Sequence, residues 1–300
     1  MIAHIPRLYV PVITPFAADL SVDTARFVAI CRRILEDGAD GLAVFGTTSE
    51  ANSLSTAERM SALDALVDAG IDPARLIPGT GCCALPDTVL LTRHATRIGC
   101  KGVLMLPPFY YKPLSDDAVF ASYAAVIDAV PDMGLYLYHI PQMSGVALSI
   151  PMIGRLTDAF PGTVRGLKDS SGKWDNTAEV IAAFPQIETF SASESLLPRN
   201  VAAGGAGCIS ASANVNVSGI MRLIRALGTP EEATALAQVS AVRAACEGLP
   251  LIPGIKAIVA LRMNDPGYAR TRPPLLPLTP DQKVAAERAV ALCPPKENAA

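Results

Sequence analysis

The chain has 300 residues, of which 50% are hydrophobic and 18% are charged, and its formal net charge at neutral pH is −3. This composition suffices for one large buried core, and it provides neither the basic surface of a nucleic-acid-binding protein nor the cationic amphipathic stretch of a membrane-surface protein. We therefore expect a small-molecule ligand. The N-terminal residues lack a signal-peptide pattern and no apolar run is long enough to cross a bilayer, so a cytoplasmic protein is predicted.

Strand and helix patterns alternate along the first two thirds of the chain. Short apolar runs predict buried strands, and most are followed by a polar loop and then by apolar residues at helical spacing. The helix after the second strand begins with a capping box formed by Ser55 and Glu58. The predicted strands are residues 8–16, 41–45, 76–80, 102–107, 134–140, 164–168, 188–193 and 207–210. The predicted helices between them are residues 24–37, 55–67, 86–98, 116–130, 151–160 and 174–184.

These eight units predict the fold class, α/β with a parallel sheet closed into a (β/α)8 TIM barrel. We assign residues 1–217 to the barrel, which carries the catalytic site. Strand patterns then cease, and residues 218–300 are predicted to form a C-terminal helical extension. Its helices are expected at residues 218–227, 230–247 and 253–262, with another after Thr279.

The cysteines and histidines do not suggest a metal site. The seven cysteines have no C-x-x-C pair, and the three histidines have no H-x-H or H-E-x-x-H spacing. We expect reduced thiols and a reaction that needs neither a metal nor another cofactor.

One lysine, Lys168, stands at the end of an apolar strand pattern, V-R-G-L-K at residues 164–168. A strand that buries Val164 and Leu167 leaves such a lysine partly desolvated where the chain leaves the sheet. Desolvation lowers the pKa of an amine and frees its lone pair, which can attack a ketone and form a Schiff base. A lysine that caps a strand end in solvent would give the same local pattern, so the other strand ends must decide.

Hydroxyl groups follow several other predicted strands. Active sites of (β/α)8 barrels lie at the carboxyl ends of the strands. At those ends the sequence has Thr47, Thr48, Tyr110, Tyr111 and Tyr138. A phenol near threonine hydroxyls can move the protons of a carbinolamine, and N–H groups of a Gly-Thr-Thr turn can hold a ketoacid carboxylate. For each aromatic residue alone, packing or a solvent-facing hydroxyl is the better explanation, but their joint placement favours an active site.

Three other lysines are candidates for the same chemistry. Lys112 and Lys173 are expected in or beyond polar loops, and Lys256 within a C-terminal helix. Nothing in the local sequence predicts a depressed pKa at these positions.

Four ordered motifs resemble those of a known family across essentially the whole chain. They are G-T-T-S-E at residues 46–50, P-F-Y-Y at 108–111, Y-H-I-P at 138–141 and L-K-D-S-S-G at 167–172. This series is similar to that of the dihydrodipicolinate synthase and N-acetylneuraminate lyase family. The resemblance implies a barrel enzyme that acts on a small ketoacid and an aldehyde through a lysine Schiff base.

The resemblance also implies roles for single residues. Lys168 would form the imine with pyruvate or another 2-ketoacid, and Tyr138 would donate and accept protons with Thr47 as its hydroxyl partner. Thr48 and the backbone of the Thr47–Thr48 turn would bind the carboxylate. Ile209 would make a backbone contact near the imine.

Tyr110 carries an implication about assembly. The family tyrosine that it matches is linked through the threonine to the catalytic tyrosine, and it reaches into the site of a neighbouring subunit. The resemblance therefore implies a homo-oligomer, commonly a tetramer of two tight dimers.

Met143 is the most informative departure from the family pattern. Synthases that condense pyruvate with aspartate semialdehyde usually have an arginine at this place, two residues after the proline of the tyrosine motif. The neighbouring Ser144-Gly145 is more like the sialate lyase branch, yet S-A-S-E-S at residues 191–195 matches that branch poorly. Ser49 stands in place of the usual glycine, and His139 in place of the common asparagine.

These observations favour a metal-independent class I lyase that makes or breaks a carbon–carbon bond beside a pyruvate-derived enamine, on a 2-keto-3-deoxy sugar acid or a related ketoacid. Two alternatives use the same imine, a dihydrodipicolinate synthase acting on aspartate semialdehyde and a dehydratase. A non-catalytic ketoacid sensor on the same scaffold is the alternative from another class of protein. The joint presence of Lys168, Tyr138, Thr47 and Tyr110 argues against a sensor.

Overall fold

A computed structural model describes residues 5–294. Its strands are β1 (Arg7–Val10), β2 (Gly41–Leu42), β3 (Val103–Met105), β4 (Leu135–His139), β5 (Val164–Asp169), β6 (Glu188–Ser191) and β7 (Gly207–Ile209). They form one parallel sheet in the order β2-β1-β7-β6-β5-β4-β3. Because β1 pairs with both β2 and β7, the first strand lies in the middle of a curled sheet rather than at an edge.

The segment at residues 76–80 closes the gap between the edge strands β2 and β3. Leu76 forms a parallel bridge with Leu42, and Gly79 forms one with Leu104. The N–H of Leu104 donates to the carbonyl of Pro78 at 2.9 Å. The predicted (β/α)8 barrel is confirmed, with one correction: residues 76–80 contribute isolated bridges instead of a continuous strand. Pro78 has no N–H to donate, which shortens the ladder.

The first two strands are shorter in the structure than the sequence predicts. Pro11 directly follows β1 and ends its ladder, so the strand predicted to continue to residue 16 stops at Val10. The second strand stops at Leu42, and Phe45 has a left-handed backbone with φ 58°. The chain therefore turns away from the sheet before residue 46.

The helices confirm the predicted βα alternation. They are α1 (Thr24–Glu36), α2 (Thr56–Asp68), α3 (Leu85–Arg97), α4 (Asp116–Ala129), α5 (Pro141–Ser144), α6 (Ile150–Ala159), α7 (Trp174–Ala183), α8 (Leu197–Ala202), α9 (Ala213–Ala226), α10 (Glu232–Glu247), α11 (Leu251–Met263) and α12 (Pro280–Leu292). The predicted capping box of α2 is present in full, with Ser55 and Glu58 bonded in both directions. The short helices α5 and α8 were not predicted, because one or two turns give no periodic signal.

Two apolar clusters fill the molecule. The larger cluster lies between the strands and the surrounding helices. The smaller one uses alternate strand residues that point into the barrel, among them Tyr9, Tyr136 and Phe190. Tyr9 packs edge-on against Phe190 at a centroid distance of 5.7 Å. The barrel interior below the catalytic rim is thus a packed core.

The C-terminal part is helical, as predicted. The proposed boundary at residue 217 lies inside α9, one residue after a kink at Asn216, whose backbone angles are −143° and 36°. The division into a barrel and an extension remains a prediction, and its last six residues lie outside the described part of the chain.

Among residues 5–294, no single helix has both the length and the hydropathy needed to cross a membrane. Helices α10 and α11 reach these values only when taken together, and a bend of 116° separates them.

Candidate active site

Lys168 and Tyr138 meet at the carboxyl end of the barrel. The parallel register of β4 and β5 pairs the two residues directly, so both side chains point to the same face. The ammonium nitrogen of Lys168 donates to the phenolic oxygen of Tyr138 at 3.3 Å and lies 4.3 Å from the centre of its ring. Lys168 is only 4% exposed. The interior position expected for this lysine is thus observed.

Thr47 completes a short chain of polar atoms. Its hydroxyl lies 3.3 Å from the phenolic oxygen of Tyr138, and either group can be the donor. Thr47 and Thr48 both line the cavity above the lysine. Among the described residues, neither the N–H of Thr47 nor that of Thr48 donates to a protein acceptor. The turn therefore presents free donors beside the amine.

The environment of Tyr138 favours proton exchange. Burial raises the pKa of the phenol, but the charge of Lys168 and hydrogen bonds with Thr47, Lys168 and Ser170 outweigh it. The net pKa of Tyr138 lies below its ordinary value of 10. A phenol with a lowered pKa gives up and regains a proton more readily near neutral pH.

Asp169 fixes the backbone directly after Lys168. Its carboxylate accepts hydrogen bonds from the N–H of Ser171 at 2.8 Å, from Asn176 at 3.0 Å and from Thr177 at 2.6 Å. These contacts join the end of β5 to the start of α7. The lysine is thus held by a rigid strand end rather than by a mobile loop.

One cavity of about 310 Å³ lies at this end of the barrel. The predicted site residues Thr47, Thr48, Tyr138, Lys168 and Ile209 all contribute to its lining. Further lining residues come from the strand ends and from the C-terminal helices: Ile140, Gln142, Ser170, Ala192, Ala211, Ser212, Arg243, Cys246, Glu247, Leu249, Leu251 and Ile255. The extension therefore closes one side of the site.

A charged network that the sequence did not predict contributes Ser212, Arg243 and Glu247 to this wall. The guanidinium of Arg243 on α10 donates to Glu194 and to Ser210, at 3.1 Å each, and pairs with Glu247 at 2.7 Å. The fully buried Glu194 also accepts from the hydroxyl of Ser212. The two serines follow β7, and the strand-end rule could have found them. No local signal marks Arg243, because its helix lies outside the repeating βα pattern.

Two predicted site residues lie outside the cavity lining in this single chain. Tyr110 is 74% exposed and packs edge-on against Tyr111, with ring centres 5.5 Å apart. Met143 lies in the short helix α5 and is 64% exposed. A role for either residue depends on a bound substrate or on a second subunit.

Lys256 corrects the expectation that nothing depresses the pKa of the other lysines. It is 0% exposed and forms a buried ion pair with Glu50 of the G-T-T-S-E motif. Burial lowers its pKa to about 8, although the charge of Glu50 opposes this shift. The residue lies next to Ile255 but is not itself part of the cavity wall.

The substitutions at Ser49 and His139 fit without strain. Ser49 is not among the residues with a positive φ, so its backbone does not require glycine. The ring of His139 accepts a hydrogen bond from the N–H of Leu148 at 3.1 Å, and burial lowers its pKa. A neutral imidazole therefore serves as a structural acceptor here.

Metal ligation has no support in residues 5–294, where no group of three or more histidine, cysteine, aspartate and glutamate side chains is placed to hold an ion. All seven cysteines are unpaired.

Comparisons with known proteins identify the family of the chain. The model of the dihydrodipicolinate synthetase family matches residues 4–292. An uncharacterized DapA-like lyase of Chloroflexus aurantiacus is 36% identical over 284 residues, which cover 92% of this chain and 93% of the relative. A 4-hydroxy-tetrahydrodipicolinate synthase of a Synechococcus strain is 32% identical over 296 residues, covering 95% and 94%.

A solved structure of a dihydrodipicolinate synthase has the same fold. The crystal structure of dihydrodipicolinate synthase from Agrobacterium tumefaciens superimposes with a TM-score of 0.87 at 31% identity, and the match covers 95% of this chain and 98% of that one.

Proposed function

This chain belongs to the dihydrodipicolinate synthetase family, and we propose that its reaction begins with a Schiff base between Lys168 and pyruvate or another 2-ketoacid. The family assignment makes the chain a lyase of the pyruvate-dependent class I type. The observation that carries the proposal is the 3.3 Å distance between the amine of Lys168 and the phenolic oxygen of Tyr138 on the wall of the cavity.

The geometry supports a reaction that passes through an imine and then an enamine. The amine of Lys168 attacks the C2 carbonyl of the ketoacid, and the carbinolamine loses one water as the C=N bond forms. Tyr138 supplies the proton that leaves with this water. Loss of a proton from C3 then gives an enamine, whose carbon attacks an aldehyde carbonyl, and the resulting alkoxide takes up a proton. Hydrolysis of the imine releases the product, and cleavage follows the same steps in reverse.

The Thr47–Thr48 turn is the proposed carboxylate site. Two backbone N–H groups without a protein acceptor, with the hydroxyl of Thr48 beside them, can hold the ketoacid carboxylate close to the lysine. Ile209 at the end of β7 lines the same cavity, and we expect its backbone to make a contact near the imine.

The charged network favours a hydroxylated second substrate. Arg243 is paired with both Glu194 and Glu247, so this cluster carries one more negative than positive formal charge. Glu247 is the carboxylate of this cluster that lines the cavity, where it can accept hydrogen bonds from sugar hydroxyls and would repel a second carboxylate. A 2-keto-3-deoxy sugar acid or a related ketoacid is therefore the favoured substrate class, in an aldolase reaction or in a dehydration that starts from the same imine.

A dihydrodipicolinate synthase activity is the second candidate. Arg243 is an arginine that reaches the cavity from outside the tyrosine loop, and it could bind the carboxylate of aspartate semialdehyde if the substrate displaced Glu247. Glu247 is the more exposed of its two partners. The relative from Synechococcus has this activity in its name.

The exposed tyrosine supports a homo-oligomer, commonly a dimer of dimers in this family. Tyr110 and Tyr111 are both about three quarters exposed, and Leu85 and Leu90 are other large exposed apolar side chains. In the proposed assembly a second copy covers Tyr110, whose hydroxyl then joins Thr47 and Tyr138 of the partner's site.

Borohydride trapping tests the central step. Reduction of the imine with pyruvate present should leave a stable adduct on Lys168, and peptide mapping locates it. Lys256 is an internal control, because its buried amine is paired with Glu50 and does not reach the cavity. An adduct on another lysine, or none, would contradict the proposal.

A substrate panel then separates the candidates. The unmodified protein is assayed with pyruvate and hydroxyaldehydes, with 2-keto-3-deoxy sugar acids, and with aspartate semialdehyde. Turnover of the sugar acids above the semialdehyde supports the favoured class, and the reverse order supports the synthase. Imine formation without turnover of any of them would support a sensor.

A further inference from the structure

The buried ion pair of Lys256 and Glu50 joins the C-terminal helices to the turn at residues 46–50, which contains Thr47 and Thr48. Lys256 lies on α11, and its ammonium donates to one carboxylate oxygen of Glu50. The other oxygen accepts the backbone N–H of Arg272 at 3.0 Å. Both oxygens of Glu50 are thus held by residues from beyond the barrel.

The turn that ends in Glu50 has an unusual backbone. Glu50 is left-handed with φ 57° and ψ 37°, and Phe45 just before the turn is left-handed as well. Residues other than glycine adopt this conformation at a cost, so contacts outside the turn must hold it. Within the turn, the N–H of Glu50 donates to the carbonyl of Thr47 at 3.1 Å.

From this geometry we propose that Lys256 and Glu50 are positioning residues, whose ion pair holds the turn so that the Thr47 hydroxyl meets Tyr138 and the Thr48 N–H meets the ketoacid carboxylate. The proposal rests on the proposed function of Lys168. Neither residue touches the substrate, and both act through the backbone that they fix.

The physical link is short. Without Lys256, the carboxylate of Glu50 would be buried with only one backbone donor, which is unfavourable for a charged group. Glu50 would then move toward water and leave its left-handed conformation. Thr47 and Thr48 precede it by three and two residues, so this rotation would carry their polar groups away from Tyr138 and from the ketoacid.

The charge on Lys256 is also sensitive to pH. Burial lowers its pKa to about 8, while Glu50 raises it and the nearby Arg272 lowers it further. Arg272 is itself paired with Glu58. The ammonium of Lys256 and the guanidinium of Arg272 both lie over the ring of Phe16, at 4.3 and 4.6 Å from its centre. These groups face Lys256 from the loop after β1, the turn, α2 and the segment before α12.

Loss of this charge should reduce activity without unfolding the protein. The folded-state pKa of Lys256 is lower than its ordinary value of 10.5, so its contribution to stability rises as the pH passes from about 8 to 10.5. The pKa of Tyr138 also lies below 10, so only the part of the alkaline fall that changes in variants of Lys256 or Glu50 reports the position of the turn.

The test compares pH profiles for pyruvate trapping and for kcat/KM. Glu50→Gln removes one partner of the ion pair, so the turn no longer depends on the charge of Lys256 and the alkaline fall in activity that this charge causes should be lost. At neutral pH we expect a loss of about 10- to 100-fold, as for other residues that orient a catalytic group. Lys256→Arg keeps the positive charge over the whole pH range, so the alkaline fall in activity should move to higher pH.

Asp265→Asn is the matched control. Asp265 pairs with Arg26 at 2.8 Å and also joins the C-terminal part to the barrel, but it does not touch the turn. This variant should keep the native pH profile. Native profiles in both Glu50→Gln and Lys256→Arg would overturn the proposal, and if one variant fails to fold the other decides. Absence of trapping in the unmodified protein would instead refute the Schiff base itself.

Discussion

Tyr138 and Lys168 occupy paired positions on adjacent parallel strands, and their functional atoms lie 3.3 Å apart. The distance is therefore set by the hydrogen-bond register of the sheet. A shift of one residue in β5 would turn the lysine toward the helices and replace it by Asp169 or Leu167. The register that closes the barrel thus also brings together the two residues for which we propose catalytic roles.

Tyr138→Phe separates imine formation from proton transfer. The ring keeps its packing, while the group that exchanges protons is removed. We expect turnover to fall by about 10²- to 10⁴-fold if Tyr138 is the general acid–base. Steady-state kinetics measure the loss, and borohydride trapping at long times shows whether the imine still forms. Near-normal turnover would assign this tyrosine to packing alone.

Tyr110→Phe tests action across a subunit interface. In the proposed assembly this variant is impaired because each site lacks the hydroxyl of its neighbour. Mixing it with Lys168→Ala should restore activity, because about half of the dimers are then mixed and each mixed dimer regains one complete site, about a quarter of all sites. Tyr111→Phe is the control, with the same exposure and the same edge-on contact. No recovery on mixing would show that Tyr110 does not act in a partner's site.

Met143→Arg tests the choice of the second substrate. Methionine offers neither a donor nor a charge, whereas arginine can bind a carboxylate through two hydrogen bonds. We expect the unmodified protein to use aspartate semialdehyde poorly. The variant should improve the ratio of kcat/KM for this aldehyde to that for a hydroxyaldehyde, by roughly 10-fold or more. Met143→Gln controls for polarity without charge, and an equal gain there would contradict the argument.

Glu58→Gln tests the ion pair that anchors the segment before α12. A hydrogen bond from Arg272 lowers the pKa of Glu58 from 4.5 to about 2, against the effect of partial burial. The resulting stability is present above about pH 4.5 and is lost as the pH falls toward 2. We expect the variant to lose about 1–2 kcal/mol at neutral pH, after allowance for solvent screening.

Urea unfolding as a function of pH checks this expectation. The difference between Glu58→Gln and the unmodified protein should shrink as the pH falls from neutral to acid. Asp117→Asn removes a surface pair with Arg155 and should change little, because that carboxylate is mostly exposed. A constant difference at all pH values would mean that the charge of Glu58 is not the source of the stability.

The sequence predicts those features that local patterns encode. The apolar run before Lys168 and the threonines after β2 mark the site because a barrel collects its strand ends at one rim. The segment at residues 76–80 shows the limit of prediction from local patterns. Its apolar residues predict a strand, but they do not show that Pro78 leaves it with few hydrogen bonds to the neighbouring strands. Arg243 and Lys256 are missed for a different reason. Each lies on a helix of the extension and pairs with a buried glutamate that is far away in the chain, Glu194 for Arg243 and Glu50 for Lys256.

The ion pair between Glu50 and Lys256 also bears on how the enzyme is made. The two residues are 206 positions apart, so Glu50 leaves the ribosome long before its partner has been translated. Until α11 emerges, the nascent chain has a carboxylate destined for the interior but no cation to receive it. We therefore expect the Thr47–Thr48 turn to be among the last parts of the molecule to mature, after the strands around it have paired.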